Sequence, residues 1–295
     1  MVADRGLRVV RAKAFAKINL TLRVLGLRDD GYHDLQTRLQ SLALHDSLTV
    51  TARDGPVQIA CDDPACPVDG TNLVWRAAER MWRASGRRSE VTGIGVRIVK
   101  RIPMQAGLGG GSSDAAAAMR ALAKLWRLDF STARMHRIAS DLGTDVPFFL
   151  EGGTALGVGR GDVLVAQPDG PVAWVVLVLP SFGVSTAVAY GWWDADNRGR
   201  RGRMHASFSV EDLRNDLEAP VARHHPRIGR IVRALKRLDA SHAAMSGSGS
   251  AVFGLFRTRA RAEAAAAAMG GRSLRTLVTR TIDRASYRDA VQLER

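Results

Sequence analysis

Lysine is scarce in this chain of 295 residues: of 43 basic residues only those at positions 13, 17, 100, 124 and 236 are lysine, and the rest are arginine. The arginines run along the whole length instead of gathering in one segment. The formal net charge of +14 therefore reads as a coding preference for arginine, and no nucleic-acid partner is expected. A third reading, attraction of an anionic small molecule, has to be decided locally. Cysteine is nearly absent. Cys61 and Cys66 are too few for a disulfide scaffold, and without a second pair or a suitably spaced histidine they do not make a zinc site. Long apolar runs are missing too. The longest, Val172 to Leu179, suits a buried strand and falls far short of the ~20 residues that cross a bilayer. Scattered charges between Met1 and Lys17 leave no signal-peptide block. The expectation is a soluble cytoplasmic protein with no membrane partner. A hydrophobic share of 46% against 24% charged excludes global disorder, and the length suits two domains.

Lys17 to Val24 alternates polar and apolar residues, which predicts a strand with one buried face and puts Lys17 and Asn19 on the same side. Asp29-Asp30-Gly31 is a turn, and Ser47–Ala52 and Ile94–Val99 read as strands. Asn72–Ser85 has helical spacing. The segment Pro103 to Ser113 carries four glycines among Gly107 and Gly109 to Gly111, so it cannot be a regular element. An alanine-rich helix, 115–126, follows at once, with Ser112, Ser113 or Asp114 as its N-cap. A second helix, Ser131–Leu142, stops at Gly143, and Asp145-Val146-Pro147 reads as another helix start. Gly152–Gly161 reads as turn, and the domain boundary is placed just after it, giving units 1–167 and 168–295. The second unit offers a buried strand (174–179), helices (185–193, 226–238, 259–269), strands (251–256, 274–282) and a mobile arginine-rich linker, Arg198–Arg203. Interspersed strands and helices indicate an α+β fold.

Glycines ahead of a helix N-terminus form a ready anion site, because bare backbone N–H groups approach a phosphate and the helix dipole favours negative charge. The loop is neither a Walker A motif nor GxGxxG, since Ser112 stands where the last glycine belongs. Ser246-Gly247-Ser248-Gly249-Ser250 is a second glycine-serine loop.

Pro-x-x-Ala-Gly-Leu-Gly-Gly-Gly-Ser-Ser-Asp-Ala resembles the phosphate-binding motif of the GHMP kinase superfamily, and Ala16-Lys17-Ile18-Asn19-Leu20 and Met245 to Phe253 match two further motifs in the expected order. Gly31-Tyr32-His33-Asp34 and Gly143-Thr144-Asp145-Val146-Pro147 narrow the resemblance to the branch that phosphorylates the 2-hydroxyl of a cytidine diphosphate derivative of methylerythritol. It runs from about residue 12 to 282. The resemblance implies two domains, an N-terminal ribosomal-protein-like ATP-binding domain and a C-terminal α/β sandwich, in a monomer or weak dimer. It implies ATP on Pro103, Met104, Gln105, Ala106, Gly107, Leu108, Gly109, Gly110, Gly111, Ser112 and Ser113, with Asn72 on the nucleotide side and Mg2+ carried mostly by phosphates and water, without dedicated protein ligands. Asp145 becomes the catalytic base. Lys17 holds it ionised, orients the hydroxyl or stabilises transferred charge. Asn19, Tyr32, His33 and Phe182 become substrate contacts, the aromatic rings against the pyrimidine. The second glycine-serine loop either closes the cleft near the substrate diphosphate or supports it structurally. Homoserine kinase is the alternative within the superfamily, and a basic nucleic-acid-binding protein the alternative outside it.

Overall fold

The computed structural model describes residues 9–197, 213–271 and 274–294. The arginine-rich segment expected to be a mobile linker lies outside them. Two long antiparallel strands, β1 (Val9–Leu27) and β2 (His33–Pro56), open the fold and are joined by the expected turn, where Gly31 takes φ +79°. Then come β3 (Gln58–Cys61), α1 (Leu73–Ala84), β4 (Thr92–Val99), α2 (Gly110–Trp126), α3 (Thr132–Leu142) and the short α4 (Phe148–Glu151). The hairpin β5 (Thr154–Gly159) and β6 (Val163–Ala166) completes a sheet ordered β3-β4-β2-β5-β6, with β1 laid along β2. A second sheet, ordered β10-β7-β9-β8, is wholly antiparallel. It comprises β7 (Trp174–Pro180), β8 (His242–Met245), β9 (Val252–Phe256) and β10 (Leu274–Arg280). The helices in this half are α5 (Thr186–Asp196), α6 (Glu218–His224), α7 (Arg227–Arg237) and α8 (Arg259–Met269), of which α7 and α8 back the sheet. The last helix, α9 (Arg284–Ala290), returns to the first sheet: Tyr287 packs on Phe15, and its hydroxyl donates to the Phe149 carbonyl at 2.7 Å. No helix among the described residues is long and apolar enough to cross a membrane.

The two sheets share a core. Ile18 and Leu42 from the first pack in one buried cluster with Leu177 and Phe253 from the second and with Leu108 of the glycine loop. That contact corrects the expectation for β1. The strand was expected to bury one face only, yet Lys17, Asn19 and Thr21 are as buried as Ile18 and Leu22, and the glycine loop and the 246–250 loop pack on Lys17 and Asn19.

Two further local expectations fail for physical reasons. Gly152–Gly161 is not all turn, since β5 runs through it. A Cβ on Gly157 would come within 2.7 Å of the Gly161 carbonyl, so that glycine marks a close backbone approach inside a strand. Helix α2 starts at Gly110, ahead of the serines. Its N-cap is Gly109, at φ +72°, and no side chain caps it. Ser113 and Asp114 are turned inward and buried, so neither can be the cap.

Candidate active site

A cleft of about 670 Å3 runs between the glycine loop, β1 and the 246–250 loop. Every residue from 103 to 112 lines it; Ser113 does not. The uncapped first turn of α2 leaves its N–H groups without side-chain partners, and the loop in front of it is held by backbone. Leu108 O accepts from Lys17 N at 3.0 Å, and Ala106 O accepts from Ala251 N at 3.2 Å. The glycines allow close packing of the loop on its neighbours. A Cβ on Gly109 would sit 2.6 Å from the Phe149 ring, and one on Gly107 would sit 2.2 Å from the Ser246 carbonyl oxygen. Asn72 also lines the cleft, but its amide is committed elsewhere: Oδ1 accepts from Val74 N at 2.8 Å, capping α1, and Nδ2 donates to the Pro67 carbonyl at 2.5 Å. Both ends of its amide are thus engaged, and its side chain shapes the rim of the cleft.

Lys17 and Asp145, 128 positions apart, meet in the middle of the cleft. Lys17 Nζ is 3.3 Å from Asp145 Oδ2 and donates to Asn19 Oδ1 at 2.5 Å. Asn19 Nδ2 donates in turn to Thr37 Oγ1 (2.8 Å), which donates to the Thr21 carbonyl (2.7 Å). The backbone N–H of Asn19 reaches Ser246 Oγ at 3.3 Å, and that hydroxyl donates to the Gly107 carbonyl at 3.0 Å. The ammonium is thus nearly buried and fixed, whereas the Asp145 side chain stays 37% exposed toward the cleft. A carboxylate open to a ligand beside a fixed cation is a geometry for accepting a proton while charge develops next to it. Asp145 stands in the turn before α4, and Pro147, expected in the first helical turn, is the N-cap residue.

The aromatic end is arranged differently from the expectation. Tyr32 is exposed, with the Arg160 guanidinium 5.2 Å from its ring centre, and Arg160 lines the cleft. His33 is buried. Its Nε2 lies 2.8 Å from Asp194 Oδ1, and its ring stacks on Tyr190 at 4.6 Å. Phe182 does not line the cleft: it stacks on His225 at 4.4 Å, and its carbonyl accepts from Ser250 Oγ. The ring from α5 that does line the cleft is Tyr190. Burial, and after it the negative charge of Asp145, pushes the Tyr190 phenol well above the ordinary tyrosine range, so it remains a donor. Sequence reasoning passed over Tyr190 because it sits inside a helix that also carries Trp192 and Trp193, where an aromatic residue reads as packing.

Behind the glycine loop lies a buried charge cluster of which only Asp114 belongs to a motif. Lys100 Nζ donates to Asp46 Oδ2 (2.5 Å) and Asp114 Oδ2 (2.8 Å), and Asp46 Oδ1 accepts from the backbone N–H of Arg101 and Ile102. Burial opposes the charge on Lys100, but the two carboxylates outweigh it and raise its pKa. Two carboxylates share one cation. Burial pushes the Asp114 carboxyl up to about 7, with Lys100 opposing and Asp46 adding. The folded protein therefore binds a proton here that the unfolded chain has released above the ordinary carboxylate range. Stability should fall as pH rises from about 4 to 7 through this group, because the folded state holds more protons. Asp114→Asn should flatten that slope in thermal melts recorded at pH 5, 6, 7 and 8; an unchanged slope would remove Asp114 as its source. Among the described residues no cluster of three or more His, Cys, Asp or Glu could cage a metal.

Profile comparison matches the GHMP kinase N-terminal domain over residues 72–153 and the GHMP kinase C-terminal domain over residues 201–274. The 4-diphosphocytidyl-2-C-methyl-D-erythritol kinase of Moorella thermoacetica is 40% identical over 292 residues, covering 93% of this chain and 99% of its own. That of Syntrophus aciditrophicus is 42% identical over 264 residues, covering 86% and 92%. A crystal structure of 4-(cytidine 5'-diphospho)-2C-methyl-D-erythritol kinase superposes with a TM-score of 0.75 at 32% identity, over 92% of this chain and 98% of that one. Homoserine kinase from Cytophaga hutchinsonii, 17% identical with a TM-score of 0.68, shares the fold. Identity at this level over nearly the full length of both chains, on the same two-sheet architecture, places the chain in the 4-diphosphocytidyl-2-C-methyl-D-erythritol kinase family of the GHMP kinases.

Proposed function

We propose that this chain transfers the γ-phosphoryl group of ATP to the 2-hydroxyl of 4-diphosphocytidyl-2-C-methyl-D-erythritol, in the cytoplasm and as a monomer or weak dimer. Residues 1–167 form the ATP-binding unit. The observation that carries the reading is the meeting of Lys17 and Asp145 at 3.3 Å in the cleft lined by residues 103–112. The glycine loop ahead of the uncapped first turn of α2 suits a polyphosphate. ATP supplies the phosphoryl group, and Mg2+ carried on its phosphates screens their charge. The cleft fits a phosphate-borne ion of that kind, since it offers Asp145 as an open carboxylate. Asp145 accepts the hydroxyl proton as the oxygen bonds to phosphorus and the bond to the leaving diphosphate breaks. Lys17, fixed by Asn19, steadies the carboxylate and the developing charge. The 246–250 loop supports the site from behind, through Ser246 on the Gly107 carbonyl and on the Asn19 N–H.

Tyr190, which lines the cleft, holds the cytosine end in the place first given to Phe182; Tyr32 and His33 stand outside the lining, His33 stacked on Tyr190. Purified protein should phosphorylate this substrate in an ATP-dependent assay and leave homoserine and mevalonate untouched. Absence of turnover by folded, ATP-binding protein would defeat the substrate assignment. In the same assay Tyr190→Ala should raise substrate KM by about 10-fold or more, as loss of one stacked ring removes about 1–3 kcal/mol. Phe182→Ala should change it far less, and the reverse ranking would restore Phe182 to the pocket.

A further inference from the structure

Thr37 stands on β2 between two strands. Its cross-strand partner is Leu22 on β1 and Gly157 on β5. It is buried, and it lines the cleft. Its methyl takes space that a side chain at 157 would need, since a Cβ on Gly157 would come within 3.2 Å of Thr37 Cγ2. Its hydroxyl reaches the other way, to β1, where the pairing with β2 slips by one residue between Asn19 and Thr21. A β-branched side chain has few rotamers, so the methyl contact also fixes the hydroxyl.

The hydrogen bonds there run in one sense. A carbonyl only accepts, so the single hydrogen of the Thr37 hydroxyl goes to Thr21 O at 2.7 Å. Toward Asn19, at 2.8 Å, the hydroxyl is then left to accept, and the amide must present Nδ2 to it. At the other end an ammonium only donates, so the amide must present Oδ1 to Lys17 Nζ. Both ends require the same orientation of the Asn19 amide.

We propose that Thr37 is a positioning residue for the phosphoryl transfer: its hydroxyl pins the Asn19 amide, and the amide pins the Lys17 ammonium beside Asp145. The inference rests on the reading of Lys17 and Asp145 as the pair that serves the transfer. Without the hydroxyl, Nδ2 is left buried with no partner, a state costly enough to make the side chain turn toward another acceptor. Turning carries Oδ1 away from Lys17. The ammonium is then left to a carboxylate that is 37% exposed and free to move with the solvent. The glycine loop is held by other bonds, in which Lys17 N donates to Leu108 O and Ala251 N to Ala106 O, so ATP binding does not depend on this hydroxyl.

The test is steady-state kinetics with ATP and the cytidine-bearing substrate, with a melting temperature for each protein. The variants are Thr37→Val, Thr37→Ser, Thr37→Ala, Asn19→Asp and the double variant Asn19→Asp/Thr37→Val. Thr37→Val keeps the methyl beside Gly157 and removes the hydroxyl. Its kcat should fall about 10-fold, the effect of one lost buried hydrogen bond, with either KM changed less than about two-fold. Thr37→Ser keeps the hydroxyl and should recover most of the lost kcat. Thr37→Ala against Thr37→Ser gives the same comparison if the valine variant does not fold, because both lack the methyl and serine alone keeps the hydroxyl. Asn19→Asp presents an acceptor oxygen to Lys17 whichever way it turns and has no Nδ2 to strand. In that background Thr37→Val should lower kcat less than about two-fold. A near-normal kcat in Thr37→Val, even with a lower melting temperature, would show a merely structural contact and overturn the inference alone. So would a serine variant as slow as the alanine one, or an undiminished loss in the Asn19→Asp background. A wild-type protein that does not turn over the substrate would overturn the proposed function and this inference with it.

Discussion

Asp145→Asn is expected to lower kcat by about 10^2- to 10^4-fold, the range spanned by positioned general bases, while ATP affinity and fold stay near wild type. The asparagine keeps the size and one acceptor oxygen, so the loss isolates the ability to take a proton. Stability should barely move. Lys17 retains Asn19 Oδ1 at 2.5 Å as a partner, and the Asp145 side chain is 37% exposed, so its ion pair is screened by water and adds little. Single-turnover kinetics with ATP titrations separate the two effects. A kcat within a few-fold of wild type would remove Asp145 as the base. Lys17→Arg should also be damaging, because Nζ serves Asn19 Oδ1 and Asp145 Oδ2 as one compact ammonium, a geometry that a longer, planar guanidinium does not reproduce. Lysine at this position, in a chain that mostly uses arginine, fits that need.

What could be read without coordinates follows the range of the interactions involved. The alternation at 17–24 put Lys17 and Asn19 on one face, and their 2.5 Å hydrogen bond agrees. Helices α1, α3 and α8 begin where Asn72, Ser131 and Thr258 offer caps, a local signal. The failures are all non-local. Ser112, Ser113 and Asp114 look like caps only until tertiary packing turns Ser113 and Asp114 inward, toward a core shared with Lys100 and Asp46. The strand β5 was hidden because Gly157 and Gly159 carry turn chemistry, while Gly157 is required by a backbone 2.7 Å away in the fold. Tyr190 gave no signal, because its meaning comes from His33 across the boundary between the two halves. The pairing of Lys17 with Asp145 spans 128 positions and was reached only through motifs resembling a family; periodicity could not have supplied it.

Gly107→Ala carries the second large expected effect, and its cause can be separated from backbone strain. Gly107 takes φ +76°, where an L side chain costs about 1–2 kcal/mol. The added methyl would also stand 2.2 Å from Ser246 O and 3.3 Å from Gly249 O, both backbone atoms that no rotamer change can move. Overpacking of this kind costs typically about 1–3 kcal/mol more, so about 2–5 kcal/mol is expected in total, a large part of the ~5–15 kcal/mol that holds a domain folded. Gly86→Ala supplies the comparison. It takes φ +87° with nothing within 4 Å of the new methyl, and so should show the strain without the collision. The difference between the two variants in urea unfolding measures the contact between the glycine loop and the 246–250 loop. Activity should separate them further. Relief of the clash must push the two loops apart, which breaks the Ser246 hydroxyl bond to the Gly107 carbonyl and loosens the support of Asn19, and through Asn19 that of Lys17. A displacement of about 1 Å at reacting groups is worth about 10^2-fold in rate, so Gly107→Ala should lose at least that much kcat/KM while Gly86→Ala keeps nearly all of it. Equal unfolding free energies in the two variants would mean that the loops do not brace each other, and the support assigned to Ser246 would fall with that result.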